Sequence, residues 1–269
     1  MGSFISRRLS VVCDSEYDKT CFRRSRYALR KYGVIRILKL KLISFNLCPF
    51  VKKAEILLSF KEIDYEIEFI ELAKPPEWFM RISPLKKVPL LLVDGHVIFE
   101  SSVICEYIDE AYPEQLHPEN LILRAENRSW IEFGDTCLWD LFYLTIKETE
   151  EDFYEVRDDL LMKFDQIERT LHQGPYFNGS DCSLIDLSFV PLFQYLDCIN
   201  EVNPVIFFNE RHSKILEWKN HLLELRVAKA VYPPDLKAKQ LELIGKRQGY
   251  LSNFLKGRNF DANTEKKIY

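Results

Sequence analysis

From Leu38 onward the apolar positions repeat with two different periods, and the change between them divides the chain. Leu38, Leu40 and Leu42 alternate with Lys39 and Lys41, the period-two pattern of a strand with one wet face. Cys48-Pro49 follows Ser44-Phe45-Asn46-Leu47, and then Val51, Ala54, Leu57 and Leu58 recur at helical spacing, with Pro49 where a first turn tolerates it. Tyr65, Ile67 and Phe69 alternate with Glu66 and Glu68, which predicts a second strand parallel to the first and hence a βαβ unit. A short helix is expected around Glu77 to Ile82. The runs Val88 to Val93 and His96 to Phe99 flank Asp94-Gly95, a strong hairpin signal. From Ser101, the residues Val103, Ile104, Tyr107, Ile108 and Ala111 share one helical face. The order β-α-β-α-β-β-α is complete by about residue 112.

Tyr112-Pro113-Glu114-Gln115-Leu116-His117-Pro118 is a polar, proline-bearing connector. Beyond it the pattern is helical throughout, over roughly 119–148, 153–172, 183–200, 212–225 and 236–256. The expected division is a basic extension over 1–34, an α/β domain over 35–112, an all-helical domain over 119–228 and a helical extension over 229–269.

A chain of 269 residues that is 47% apolar can bury one or two cores. Its longest apolar run, Val88 to Val93, is far short of the roughly 20 residues of a membrane helix, and no signal-peptide centre precedes it. A soluble, cytoplasmic protein is expected. Seven cysteines without a pair at two-residue spacing suit a reducing compartment, and the five histidines never stand at ligand spacing beside a cysteine pair, so no metal is expected.

Charge is unevenly spread. Residues 1–41 hold eleven Lys or Arg against Asp14, Glu16 and Asp18, leaving 26 basic against 38 acidic residues in the rest. The acidic body and the lack of a recognition motif exclude nucleic acid as the expected partner. The start, Met1-Gly2-Ser3-Phe4-Ile5-Ser6, fits the pattern for myristate on Gly2, and the basic cluster after it would add the second signal that stable membrane contact needs. A cloning remnant or a solvated arm is the plainer reading of the same residues.

Cys48 carries the chemistry. At the end of a strand and the start of a helix, backbone N–H groups and the helix dipole favour thiolate, so a lowered pKa and reactivity at neutral pH are expected. Position three after it is Val51, so no Cys-x-x-Cys dithiol exists here. A monothiol must pass its disulfide to an external thiol, of which glutathione is the obvious one. A buried cysteine acting as a small hydrophobe is the competing reading.

Cys48-Pro49-Phe50, Pro76-Glu77-Trp78-Phe79, Val88-Pro89, Glu100-Ser101 and Cys105 through Pro113, in that order, resemble the omega class of cytosolic glutathione transferases. The likeness is densest over 45–113 and continues to about 225. It implies an α/β thioredoxin-like N-terminal domain with a mixed four-stranded sheet plus an all-α C-terminal domain. It also implies glutathione as co-substrate, Cys48 as catalytic residue, and a glutathione site formed by Phe50, Lys74, Val88, Pro89, Glu100 and Ser101. In such a site the Val88 backbone pairs with the cysteinyl unit, Pro89 is cis, and Glu100-Ser101 holds the γ-glutamyl end. The family's lysine for the glycyl carboxylate is replaced by Pro75, leaving Lys74 or Lys87 to substitute. Ser183-Leu184-Ile185-Asp186 resembles the family's buried capping motif. A second-substrate pocket lined by residues such as Trp130, Phe133, Trp139 and Tyr143 is implied, as is a homodimer.

The activity so implied is thiol transfer, deglutathionylation and dehydroascorbate reduction on small-molecule or protein disulfides. Two alternatives stay open: a non-catalytic binding or targeting protein on the same fold, and a glutathione-dependent dehalogenase or etherase.

Overall fold

The computed structural model describes residues 39–255, apart from 205–207, 209 and 233. The basic leader, with Gly2, and the residues after 255 lie outside the described residues. The chain divides into two compact units between Gln115 and Leu116.

The first unit is a four-stranded mixed sheet, β1 (Leu40–Ser44), β2 (Glu66–Phe69), β3 (Leu90–Val93) and β4 (His96–Phe99), in the order β2-β1-β3-β4. β1 and β2 are parallel, and β3 runs antiparallel to both β1 and β4. Three helices accompany it: α1 (Pro49–Phe60), α2 (Glu77–Ile82) and α3 (Ser101–Ala111). Asp94 and Gly95 both take positive φ, 48° and 89°, the backbone that a two-residue hairpin turn requires. One departure from the pattern is instructive. Leu40, Leu42, Ile43 and Ser44 are all buried, so β1 is a central strand covered on both faces, without the wet face that its lysines suggest. Lys41 stays partly exposed and pairs with Glu68 of the edge strand β2 at 2.5 Å.

Apolar burial fixes the helices on the sheet. Phe79 of α2 packs with Ile43, Ile70 and Leu90. α1 and α3 pack on each other through faces that include Val51, Ala54, Leu57 and Leu58 of the one and Ile104, Cys105 and Ile108 of the other. Their far ends are joined by a buried ion pair, Lys61 Nζ to Asp109 Oδ1 at 2.9 Å, and the same ammonium donates to the carbonyls of Pro113 (3.1 Å) and Glu114 (2.9 Å). The connector after α3 is therefore bonded back to the first helix.

The second unit is helical: α4 (Leu121–Leu144), α5 (Glu150–Thr170), α6 (Leu184–Val202), α7 (Ser213–Glu224), α8 (Arg226–Val231) and α9 (Leu236–Arg247), with 3₁₀ turns at Glu210–His212 and Tyr250–Leu255. Caps set their limits. The Asn120 side chain accepts from the Ile122 and Leu123 N–H groups and starts α4, and Thr149 accepts from Asp152 N–H and starts α5 three residues earlier than the apolar pattern suggests. The expected helix over 236–256 is interrupted because Gln248 turns left-handed at φ 55°. The described part of the 229–269 extension is no appendage: α9 and the last 3₁₀ turn pack on α6. Among the described residues no helix is long and apolar enough to cross a membrane.

Candidate active site

Strand register gathers the sequence-predicted residues of the first unit at one end of its sheet. Ile43 pairs with Leu90, Leu90 with Phe99, and Ser44 with Phe69, so the ends of β1, β2 and β4 and the start of β3 stand in one row. Cys48 follows β1, Lys74 lies in the segment after β2, Val88-Pro89 precedes β3, and Glu100-Ser101 follows β4. All leave the sheet by the same edge.

Cys48 is the N-cap of α1, with its peptide N–H bonded to Phe45 O (3.1 Å) and its carbonyl accepting from Lys52 N–H (3.2 Å). Its residue is partly exposed, yet the thiol is densely surrounded by protein. No side-chain cap bond of normal geometry forms, although the N–H groups of Val51 and Phe50 lie close enough to favour negative charge on the sulfur. The expectation of a lowered thiol pKa is overturned. Desolvation outweighs those N–H groups and the Lys52 charge, and the thiol is pushed up to about 11 from an ordinary 9.0. The resting cysteine therefore carries its proton at neutral pH.

Val88-Pro89 is cis, with Pro89 buried and Val88 partly so. The approach to it is held by a residue that sequence reasoning missed. Buried Ser83, at the end of α2, accepts from Lys87 N–H (3.1 Å) and donates to Lys87 O (3.2 Å) through one hydroxyl. The Ser83-Pro84 dipeptide, a turn signal, is the trace it leaves in the sequence. Lys87 and Lys74 are both exposed, Lys74 in a turn closed by its N–H to Glu71 O at 3.3 Å.

At the other side, exposed Glu100 takes φ 69° and ψ 122°, a conformation that costs an L-residue about 1–3 kcal/mol. Such strain collects where a backbone is held for a purpose. The helix cap falls on Glu100, which makes no side-chain cap bond, and not on Ser101, which is the first helical residue and is buried. Beside it, buried Lys53 of α1 reaches Ser102 Oγ of α3 at 3.3 Å, linking the helix that bears Cys48 to the turn that bears Glu100 and Ser101.

In the helical unit the four α4 aromatic residues expected at a pocket, Trp130, Phe133, Trp139 and Tyr143, separate. Half-buried Trp130 packs edge-on against Phe133 (5.0 Å between ring centroids) and near Phe177 (5.9 Å). Trp139, nine residues on and therefore half a turn out of phase at about 3.6 residues per turn, is exposed together with Tyr143. Trp139 and Tyr143 are thus the exposed members of the four, while Trp130 and Phe133 are half-buried. Asp186 is fully buried, and its Oδ1 accepts from Phe177 N–H (2.7 Å) and Trp218 Nε1 (2.8 Å) while Oδ2 accepts from Ser183 N–H and Oγ (2.8 Å each). Burial raises its pKa against those hydrogen bonds, and it holds the fold.

Residues 47–111 match the glutathione S-transferase N-terminal domain. Over 212 residues the chain is 30% identical to glutathione S-transferase omega-1 of Sus scrofa, a match that spans 77% of this chain and 84% of that protein. The chain belongs to the glutathione S-transferase family. It is an omega-like transferase, with an α/β thioredoxin-like domain followed by an all-helical one. It is also 28% identical over 152 residues to the probable glutathione S-transferase DHAR2 of Oryza sativa, covering 56% of this transferase and 52% of that relative. A rice glutathione transferase solved in complex with glutathione shares the fold at a TM-score of 0.70 and 21% identity, over 78% of this chain and 96% of that one.

Proposed function

We propose that this transferase is a glutathione-dependent thiol transferase and reductase whose nucleophile is Cys48. One observation carries the reading: a partly exposed cysteine caps α1 at the edge of the sheet where the cis Val88-Pro89 peptide and strained Glu100 also emerge. Similarity to omega-1 and DHAR2 supports it, as does the fold shared with a transferase that binds glutathione.

The cycle needs no cofactor beyond glutathione. The Cys48 thiol gives up its proton and attacks the glutathionyl sulfur of a mixed disulfide RS–SG; the Cys48–SG bond forms, the RS–SG bond breaks, and RS⁻ leaves and takes up a proton. A second glutathione thiolate attacks Cys48–SG and releases glutathione disulfide and the Cys48 thiolate, so RSSG and GSH become RSH and GSSG. Because Val51 stands where a resolving cysteine would be, the second glutathione is obligatory. Dehydroascorbate is reduced by the Cys48 thiol and one glutathione, which supply two electrons and two protons and are left as Cys48–SG; a second glutathione then releases glutathione disulfide and restores Cys48.

In this reading the Val88 backbone pairs with the cysteinyl unit of glutathione and Phe50 lines that position. Pro89 shapes the turn, Glu100 and Ser101 hold the γ-glutamyl end, and exposed Lys74 meets the glycyl carboxylate. The functional unit is a homodimer. The test is turnover of a mixed disulfide between glutathione and a small thiol, followed by release of glutathione disulfide. Turnover supports the thiol transferase. Its absence together with retained glutathione binding overturns it in favour of a binding protein, and turnover confined to haloaromatic or aryl ether substrates overturns it in favour of a dehalogenase or etherase.

A further inference from the structure

Ser83, at the end of α2, is only 4% exposed, and its hydroxyl directs both of its bonds to one residue: it accepts from Lys87 N–H at 3.1 Å and donates to Lys87 O at 3.2 Å. Closing α2 does not require that hydroxyl, because the Ser83 N–H already bonds to Phe79 O at 2.9 Å. The side chain serves the turn that follows. That turn is weakly held by its own backbone: Lys86 N–H reaches Ser83 O at 3.3 Å, and Lys86 takes φ 54°, left-handed backbone that a lysine adopts at a cost.

What the hydroxyl fixes is the peptide unit between Lys87 and Val88. The unit is planar and trans, so with its carbonyl drawn to Ser83 its N–H, which belongs to Val88, points the opposite way. Val88 is half-buried, and its N–H has no hydrogen-bond partner among the described residues. A peptide donor in that condition is suited to the carbonyl of a ligand.

We propose that Ser83 is a positioning residue for glutathione, whose hydroxyl holds the Lys87–Val88 peptide so that the Val88 N–H meets the carbonyl of the cysteinyl unit. Ser83 acts through Val88 and does not touch the ligand. This deepens the proposed function and rests on its placement of the cysteinyl unit at Val88. A main-chain donor already held in place loses little freedom when the ligand arrives, so the clamp acts on affinity.

The experiment measures the dissociation constant of S-methylglutathione, whose blocked sulfur cannot form a disulfide with Cys48, by titration calorimetry on the full chain. Ser83→Thr and Ser83→Val introduce side chains of the same shape that differ in the hydroxyl. The valine is expected to weaken binding at least about fivefold relative to the threonine. Ser188→Ala removes another buried hydroxyl, one bonded to Leu184 O at 2.8 Å within α6, and should bind as wild type does, which separates aiming of Val88 from a general loss of stability. A smaller difference between threonine and valine, or an equal loss in Ser188→Ala, overturns the proposal while the wild type still binds. No binding by the wild type overturns the placement at Val88 and the proposal with it. Should Ser83→Val fail to fold, Ser83→Ala takes its place against Ser83→Thr with the same outcomes.

Discussion

The N-termini of α1 and α6 pose the same physical problem and solve it in opposite ways. Both present backbone N–H groups and the positive end of a helix dipole to one side chain. At α6 the Asp186 carboxylate, in a capping box with Ser183, accepts four hydrogen bonds and leaves nothing open. At α1 Cys48 makes no cap bond, and the N–H groups of Phe50 and Val51 are left to favour charge on a sulfur that burial keeps protonated. A closed helix end holds a fold. An open one leaves its side chain free for the proposed reaction.

Exchanging the two roles should be impossible, and the largest expected effect lies on the reactive side. Cys48→Ala is expected to reduce mixed-disulfide turnover by at least about a thousandfold while urea unfolding moves by less than about 0.5 kcal/mol. At the closed end the effect inverts. Asp186→Ala strands the Phe177 and Trp218 donors in the core and is expected to cost about 3–5 kcal/mol in urea unfolding, with turnover per folded molecule unchanged.

A smaller effect tests the packing around α6. A Cβ on Gly134 of α4 would lie 2.7 Å from the Phe189 ring of α6, and that ring is itself buried against Trp218 at 4.8 Å between centroids. Gly134→Ala should therefore cost about 1–3 kcal/mol, seen as a lowered Tm without loss of activity below it. The smallest effect sharpens the open end. A thiol pushed up to about 11 is protonated through neutral pH, so Cys48 alkylation in the absence of glutathione should be slow at pH 7 and should rise steadily as pH climbs towards 11. A plateau already reached near pH 7 would show that the helix terminus outweighs burial after all.

Much of this was legible in the sequence. Asp94-Gly95 announced its hairpin, Cys48-Pro49 announced the start of α1, and Ser183 with Asp186 announced a capping box, because each depends on residues a few positions apart. What depends on the third dimension was not. The spacing of Val51, Ala54, Leu57 and Leu58 leaves Lys52, Lys53 and Glu55 on the polar side of α1, yet all three are buried. The same blindness reversed the expected direction of the Cys48 thiol, since the helix terminus is visible in sequence and desolvation is not. Ser83 acts across a turn, Glu100 through its backbone angles, and Trp130 and Trp139 through opposite faces of one helix; residue type reveals none of these. The residues of the candidate site lie at strand ends, and strand ends are what periodicity locates.

The central claim is that Cys48 carries glutathione covalently during turnover. The direct measurement is to react the full chain with glutathione disulfide, quench with acid and locate glutathione by peptide mass spectrometry. The account predicts a glutathionyl group on the Cys48 peptide, removed by added glutathione as glutathione disulfide is released. Turnover of the mixed disulfide with Cys48 unmodified throughout, or undiminished turnover by Cys48→Ala, would contradict it.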